Sequence, residues 1–246
     1  MKWVIATALS IALAMFPSEL RAKNSALVLH QTSFFLGEQV TYLLPNLIAI
    51  KSEMATIIVH PKEDTIFMYS SKKKIYLDMP YSEWIKRFQG RLATDSCCRI
   101  KQGKTGTVCG WECIRYVREP KMRQADLWEF WMAQKAGLPP ATLGALVRFA
   151  DFPQVPGLPL RAIKRTFNLD RSNGKVSYSS PINALETTKI ERTPIPSGLL
   201  KLPTGYRKVD DELELLLSDD GESMEGLFDE ALPGHAAAKP LHKPAR

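Results

Sequence analysis

Four cysteines, Cys97, Cys98, Cys109 and Cys113, are the side chains of this 246-residue chain most closely gathered for chemistry. Thiols this near in sequence can pair as disulfides, hold a metal or cycle as a redox couple. A thioredoxin-like couple needs two residues between its thiols, whereas Gly110, Trp111 and Glu112 separate Cys109 from Cys113. The adjacent Cys97-Cys98 fits a zinc ribbon poorly. If Gly110 to Glu112 form a hairpin loop, Cys109 and Cys113 face each other across it. A link from Cys97 or Cys98 to that hairpin would staple the preceding helix to the sheet. All four are disulfide candidates, with free thiols and a metal or redox site as the other readings. The histidines are His30, His60, His235 and His242, and they form no ligand spacing. No nucleophile motif and no Gly-rich phosphate loop accompanies them. The expectation is no catalytic residue, no metal and no cofactor.

Aromatic side chains are the second cluster. Trp128, Phe130 and Trp131 lie together, with Trp84 and Trp111 nearby in sequence. On a strand, Trp128, Phe130 and Met132 share one face, and Leu127 and Trp131 the other. A strand apolar on both faces is covered on both sides. One reading is ordinary core packing. The sharper one makes Trp128, Phe130, Trp131 and Trp84 the lining of a ligand site.

Most of the elements that must position these residues have period two. Val40, Tyr42 and Leu44 alternate before a Pro45-Asn46 turn, Thr56–His60 is β-branched, and Thr65–Tyr69 and Ile75–Met79 follow successive turns. Further strands are expected over Arg99–Val108, Cys113–Arg118, Leu127–Met132, Leu160–Leu169, Lys175–Ser179 and Ala184–Glu191. Two helices interrupt them. Tyr81, Trp84, Ile85 and Phe88 share one helical face after Pro80, and Leu143, Leu146, Val147 and Ala150 another after Pro139-Pro140. About nine strands and two or three helices read as α+β built on an antiparallel sheet.

Residues 1–22 read as a signal peptide: a basic start at Lys2, an apolar run from Trp3 to Phe16, Pro17, and a small Ala22 at the cleavage site. No later stretch is long and apolar enough for a membrane helix, so the exported chain is expected to be periplasmic or secreted. Residues 23–208 hold 28 Lys and Arg against 15 Asp and Glu, a balance of +13, whereas 209–230 hold ten acidic residues and no basic one. Residues 231–246 read as a disordered basic tail. A basic exported body favours anionic neighbours such as an envelope surface, and export argues against nucleic acid. The acidic segment either docks on the body as a removable cover or stays a solvated linker.

The order of elements resembles a known family. A meander ending in Lys72-Lys73-Lys74-Ile75-Tyr76 leads through Met79-Pro80-Tyr81-Ser82-Glu83-Trp84 into a helix. A Gly-centred hairpin over Lys104–Tyr116, the Leu127-Trp128 strand and Leu202-Pro203-Thr204-Gly205-Tyr206 follow. This is similar to uncharacterised secreted domains of the LolA/LolB-like type, the fold of periplasmic lipoprotein carriers, over roughly residues 30–210. The resemblance implies an antiparallel half-barrel over residues 23–208, with helices against its open side and an apolar cavity for acyl chains. It brings no catalytic residues. The function expected is a non-catalytic binding domain for an amphipathic or anionic envelope ligand, a lipid or an acylated protein. A structural or interaction protein of the envelope is the alternative, and a secreted hydrolase the third reading.

Overall fold

The computed structural model describes residues 25–92, 98–120, 126–150, 152–170, 172–201, 203–211 and 214–215. The expected signal peptide (1–22), the tail (231–246) and Cys97 lie outside the described residues. Strands β1 (Ser25–Ser33), β2 (Gly37–Leu44), β3 (Leu47–Ser52), β4 (Thr56–His60), β5 (Thr65–Ser70) and β6 (Ile75–Pro80) form one antiparallel meander. Helix α1 (Tyr81–Leu92) follows. A second meander contains β7 (Cys98–Val108), β8 (Trp111–Pro120), β9 (Leu127–Ala133) and β10 (Leu158–Arg165), with helix α2 (Pro140–Phe149) between its last two strands. A hairpin of β11 (Phe167–Asp170) and β12 (Lys175–Tyr178), the long β13 (Ile182–Pro194) and the short β14 (Arg207–Lys208) complete the chain.

Strand β13 joins the meanders, pairing with β1 on one side and β10 on the other. The result is a twelve-stranded sheet in the order β14-β6-β5-β4-β3-β2-β1-β13-β10-β9-β8-β7, with β11-β12 as a separate pair. β14 runs parallel to β6, so the sheet is mixed, and its two outer strands do not meet. The expected α+β half-barrel of about nine strands is thereby corrected. The described chain is mostly β, with fourteen strands, two short helices and a sheet that stays open. The missing strands have a physical signature. β1 and β3 contain the uninterrupted buried runs Ala26–Leu29 and Leu47–Ile50. A strand buried on both faces loses the apolar–polar alternation by which strands are read.

Both faces are buried because the sheet has cover on each side. Leu27, Leu29, Ile48 and Ile57 pack on one side with Trp84 and Ile85 of α1 and Leu146 of α2. Leu47, Ala49, Ile58 and Tyr69 pack on the other against Leu199, Ile195 and Tyr206 of the chain that follows β13. The helices are also fixed at their ends. The Asp64 carboxylate, in the β4-β5 turn, accepts from the Ser82 N–H and the Ser82 hydroxyl, both at 2.7 Å, at the start of α1. These bonds satisfy donors that a helix start leaves open. Pro140 begins α2 where a missing N–H costs nothing. The Thr142 hydroxyl donates to the Pro45 carbonyl, tying α2 to the β2-β3 turn.

The two helices are locked together by the Tyr81 hydroxyl, which donates to the Ala145 carbonyl at 2.7 Å. Burial is the main cause that pushes this phenol up to about 12, the nearby Arg148 opposing it. In the unfolded chain the phenol ionises near pH ~10. The folded state therefore keeps its full stability below that pH and loses about 2 kcal/mol as pH rises from ~10 to ~12. Urea titrations across this range should show the loss, and Tyr81→Phe should remove that part of it.

Candidate functional site

The four aromatic candidates occupy three places rather than one. Trp84 is 4% exposed and stacks on Phe149 of α2, with ring centroids 4.9 Å apart and planes 12° apart. Phe130 is 1% exposed and lies between Trp128, stacked at 5.8 Å, and Phe152 at 5.2 Å. Trp131 faces the other side of β9, where its ring covers Gly106 of β7. A Cβ on that glycine would sit 2.5 Å from the ring, so the close approach requires glycine. Trp128 and Trp131 are both half-buried, on opposite faces of β9, and Trp128 is the one in line with exposed apolar side chains at the end of the sheet.

That surface is one end of the sheet. Register places Ile100, Arg118, Trp128, Lys164 and Ile182 in one row across β7, β8, β9, β10 and β13. Apolar and cationic side chains alternate along it. The Lys164 ammonium lies 5.8 Å from the Trp128 ring centre and 3.1 Å from an Asp126 carboxylate oxygen. It therefore gains from the ring's negative face as well as from the ion pair. Among the described residues, seven large apolar side chains are exposed, and Phe34, Phe35, Ile100, Leu169, Tyr178 and Ile182 all lie at this end. Leu200 alone lies elsewhere. Sequence reasoning missed these positions because their exposure depends on where strands end, not on residue type. The available signal was Phe34-Phe35-Leu36-Gly37, an apolar run placed in a turn.

Five residues farther along β13 from Ile182, at the join of β1 and β13, lies a buried polar group. The Gln31 amide donates to the Thr187 hydroxyl at 3.0 Å, and its carbonyl accepts from Thr41 at 2.9 Å and from Gln39 at 3.2 Å. Their mutual bonding satisfies groups that burial would otherwise penalise.

The cysteines require a correction. Cys109 and Gly110, with φ of 48° and 77°, are the two residues of a tight β7-β8 turn. That is the twist-matched hairpin connection. Cys113 is thus a strand residue opposite Gly106, not the mirror of Cys109 across a loop. Cys109 is an exposed thiol donating to the Thr187 carbonyl at 2.9 Å, and Cys113 is a buried thiol donating to the Trp111 carbonyl at 3.4 Å. Neither is in a disulfide. Cys98 opens β7 opposite Pro120. Burial pushes both thiols at the turn upward, and the Glu186 carboxylate adds to this at Cys109. They are therefore poor nucleophiles at neutral pH.

The acidic segment begins docked on the body. The Val209 N–H donates to the Tyr76 carbonyl at 2.8 Å, and the Arg207 guanidinium pairs with the Glu214 carboxylate. Lys73 donates to the Glu214 carbonyl at 2.9 Å, and Leu215 is 1% exposed within the main core. Residues 216–230 lie outside the described residues.

No family profile matches the sequence, and a comparison with curated proteins found no match. Among solved structures, it is similar to an uncharacterised conserved protein from Thermus thermophilus, with a TM-score of 0.40 and 13% identity over 82% of this chain and 98% of that one. It is also similar to the structure of the MucA/MucB complex of Pseudomonas aeruginosa, with a TM-score of 0.41 and 9% identity over 77% of this chain. The chain spans 59% of the length of that protein. A structure of MucB gives 0.38 and 7% identity. At these scores the likenesses carry neither fold nor function to this chain. No helix among the described residues is long and apolar enough to cross a membrane.

Two outcomes follow from this geometry. Leu215→Ala should cost about 2–4 kcal/mol in urea unfolding, and Glu214→Gln, at an exposed ion pair, less than about 1 kcal/mol. Maleimide should label Cys109 in the folded protein and spare Cys113 until denaturant is added, as peptide mapping would show. The Cys109 rate should still be climbing at pH ~9, and a plateau well below that pH would contradict its environment.

Proposed function

We propose that this chain is an exported, non-catalytic binding domain for an amphipathic, anionic component of the envelope, a lipid or an acylated protein. The reading rests on one observation: exposed apolar side chains are concentrated at one end of a basic sheet domain, among cations. Scattered exposed apolar residues need no explanation, but a contiguous group does. The alternation of Ile100, Arg118, Trp128, Lys164 and Ile182 suits a ligand with an acyl portion and a negative head. Trp128 offers a flat apolar contact, and Lys164 beside it a charge. The signal-like first 22 residues and the LolA/LolB resemblance are in keeping with this reading, which places the protein in the periplasm or outside the cell.

Titration with a fluorescent fatty acid tests it. Saturable binding is expected, weakened about tenfold in Trp128→Ala, since truncating an anchoring aromatic typically removes 1–2 kcal/mol or more, roughly a factor of ten. Lys164→Gln should weaken binding of the anionic ligand more than that of its methyl ester. An absence of saturable binding to any acyl probe would sink the reading and favour a structural or interaction protein.

A further inference from the structure

We infer that this end of the sheet docks on the surface of an anionic lipid bilayer, the β1-β2 tip and the apolar face of the β11-β12 hairpin entering the headgroup region. The inference rests on the proposed function and commits it to a bilayer rather than a single extracted amphipath.

The first tip is the β1-β2 turn. Phe34 and Phe35 are 43% and 60% exposed, edge to face at 5.6 Å. They are held rigidly, since the Phe34 N–H donates to the Ala184 carbonyl at 3.0 Å and the Leu36 N–H to the Ser33 hydroxyl at 3.0 Å. The second is the β11-β12 hairpin, which leaves the sheet between β10 and β13. Its register puts Phe167 opposite Tyr178 and Leu169 opposite Val176, so one hairpin face is wholly apolar. Leu169 and Tyr178 on that face are exposed. A lone two-stranded hairpin is marginal in water, so this face gains from cover. Ala184, which fixes the first tip, is two residues beyond Ile182 in β13, so that tip adjoins the root of the β11-β12 hairpin.

Charge selects the cover. Arg99, Arg165 and Lys175 stand at this end and enter no ion pair among the described residues, Lys101 and Lys164 are matched by Glu119 and Asp126, and the carboxylates Glu38 and Asp170, also in no ion pair there, leave the cations in the majority. Apolar side chains at the β1-β2 tip and along one face of the β11-β12 stem, with Arg99 and Arg165 at the strand ends behind them and Lys175 beside the polar turn, suit an anionic membrane surface, where hydrocarbon and phosphate lie close together. Tyr178 carries the amphipathic ring favoured at that boundary. A protein partner would need a surface shaped to receive both a tip and a hairpin face, whereas a bilayer takes both at once.

Sedimentation with vesicles of phosphatidylcholine, with and without phosphatidylglycerol, tests this on the exported form beginning at Lys23. Binding is expected to the anionic vesicles and to weaken as salt rises. Phe34→Ser with Phe35→Ser, and separately Leu169→Ser with Tyr178→Ser, should each weaken it about tenfold or more. Arg165→Gln and Lys175→Gln should cost about fivefold each, the worth of one cation at such a surface. All these side chains are at least partly exposed, and unchanged melting of each variant checks that the fold is kept. Fatty-acid binding without vesicle binding would overturn the inference and leave the proposed function standing, whereas loss of both would overturn both. Equal vesicle binding by parent and tip variants would place the contact elsewhere and overturn the inference. A dimer of the free protein that the tip variants abolish would assign the patch to a second copy and overturn the bilayer.

Discussion

The whole architecture depends on one strand holding two meanders together. β13 is hydrogen bonded to β1 over nine register pairs and to β10 over four, and each ladder carries an irregularity. The shift at His30/Gln31 lies at the seam, where Gln31, Thr187, Gln39 and Thr41 bond to one another inside the protein. An amide network is a strict register device, because slipping the strand by one residue would bury these groups without partners. The Cys109 thiol adds to the same seam by donating to the Thr187 carbonyl. The end of the sheet that carries the exposed apolar group begins where β13 begins, so its geometry is inherited from this seam.

Cover on both faces is the second constraint. The first meander is apolar on both sides, and a bare face would expose a contiguous apolar patch to water. The two helices cover one face. The chain after β13 covers part of the other, through Ile195, Leu199 and Tyr206, and then closes the β6 edge through β14. The start of the acidic segment belongs to this work of covering. Val209 and Leu215 complete the main core, and Arg207, Lys208 and Lys73 hold the carboxylates and carbonyls around them. The segment is therefore structural as far as Leu215. Its opposite sign to the body then lowers the charge repulsion of a domain with a surplus of cations.

Basic character and apolar exposure meet at a single end because strand termini are where side chains escape both layers. Farther along β9, Phe130 and Met132 are sealed under Phe152 and Val155, and only Trp128 reaches the rim. Lys164 is held there by Asp126, whose other oxygen accepts from the Phe167 N–H at 2.9 Å. One carboxylate thus fixes both the cation beside Trp128 and the root of the projecting hairpin.

Local chemistry in the sequence determined the turns, the helices and the charge segregation. The Pro45-Asn46 turn is where residue types predict it, and both helices follow from three- and four-residue apolar spacing. Alternation revealed β2 and β6, which are buried on alternate residues, but not β1 or β3, whose buried runs carry no period. Tertiary structure alone decided the rest. The joining of two meanders by β13 is a long-range pairing that no local pattern encodes. The turn at Cys109-Gly110 was set by backbone twist rather than by the symmetry of the two cysteines. Trp84 and Phe130 look alike in sequence to Trp128 and Trp131, and only the stacking of layers separates two core rings from two half-buried ones. Phe34, Phe35 and Tyr178 stay exposed for the same reason. They lie past the last strand row that anything covers, and burial is a property of neighbours, not of residues.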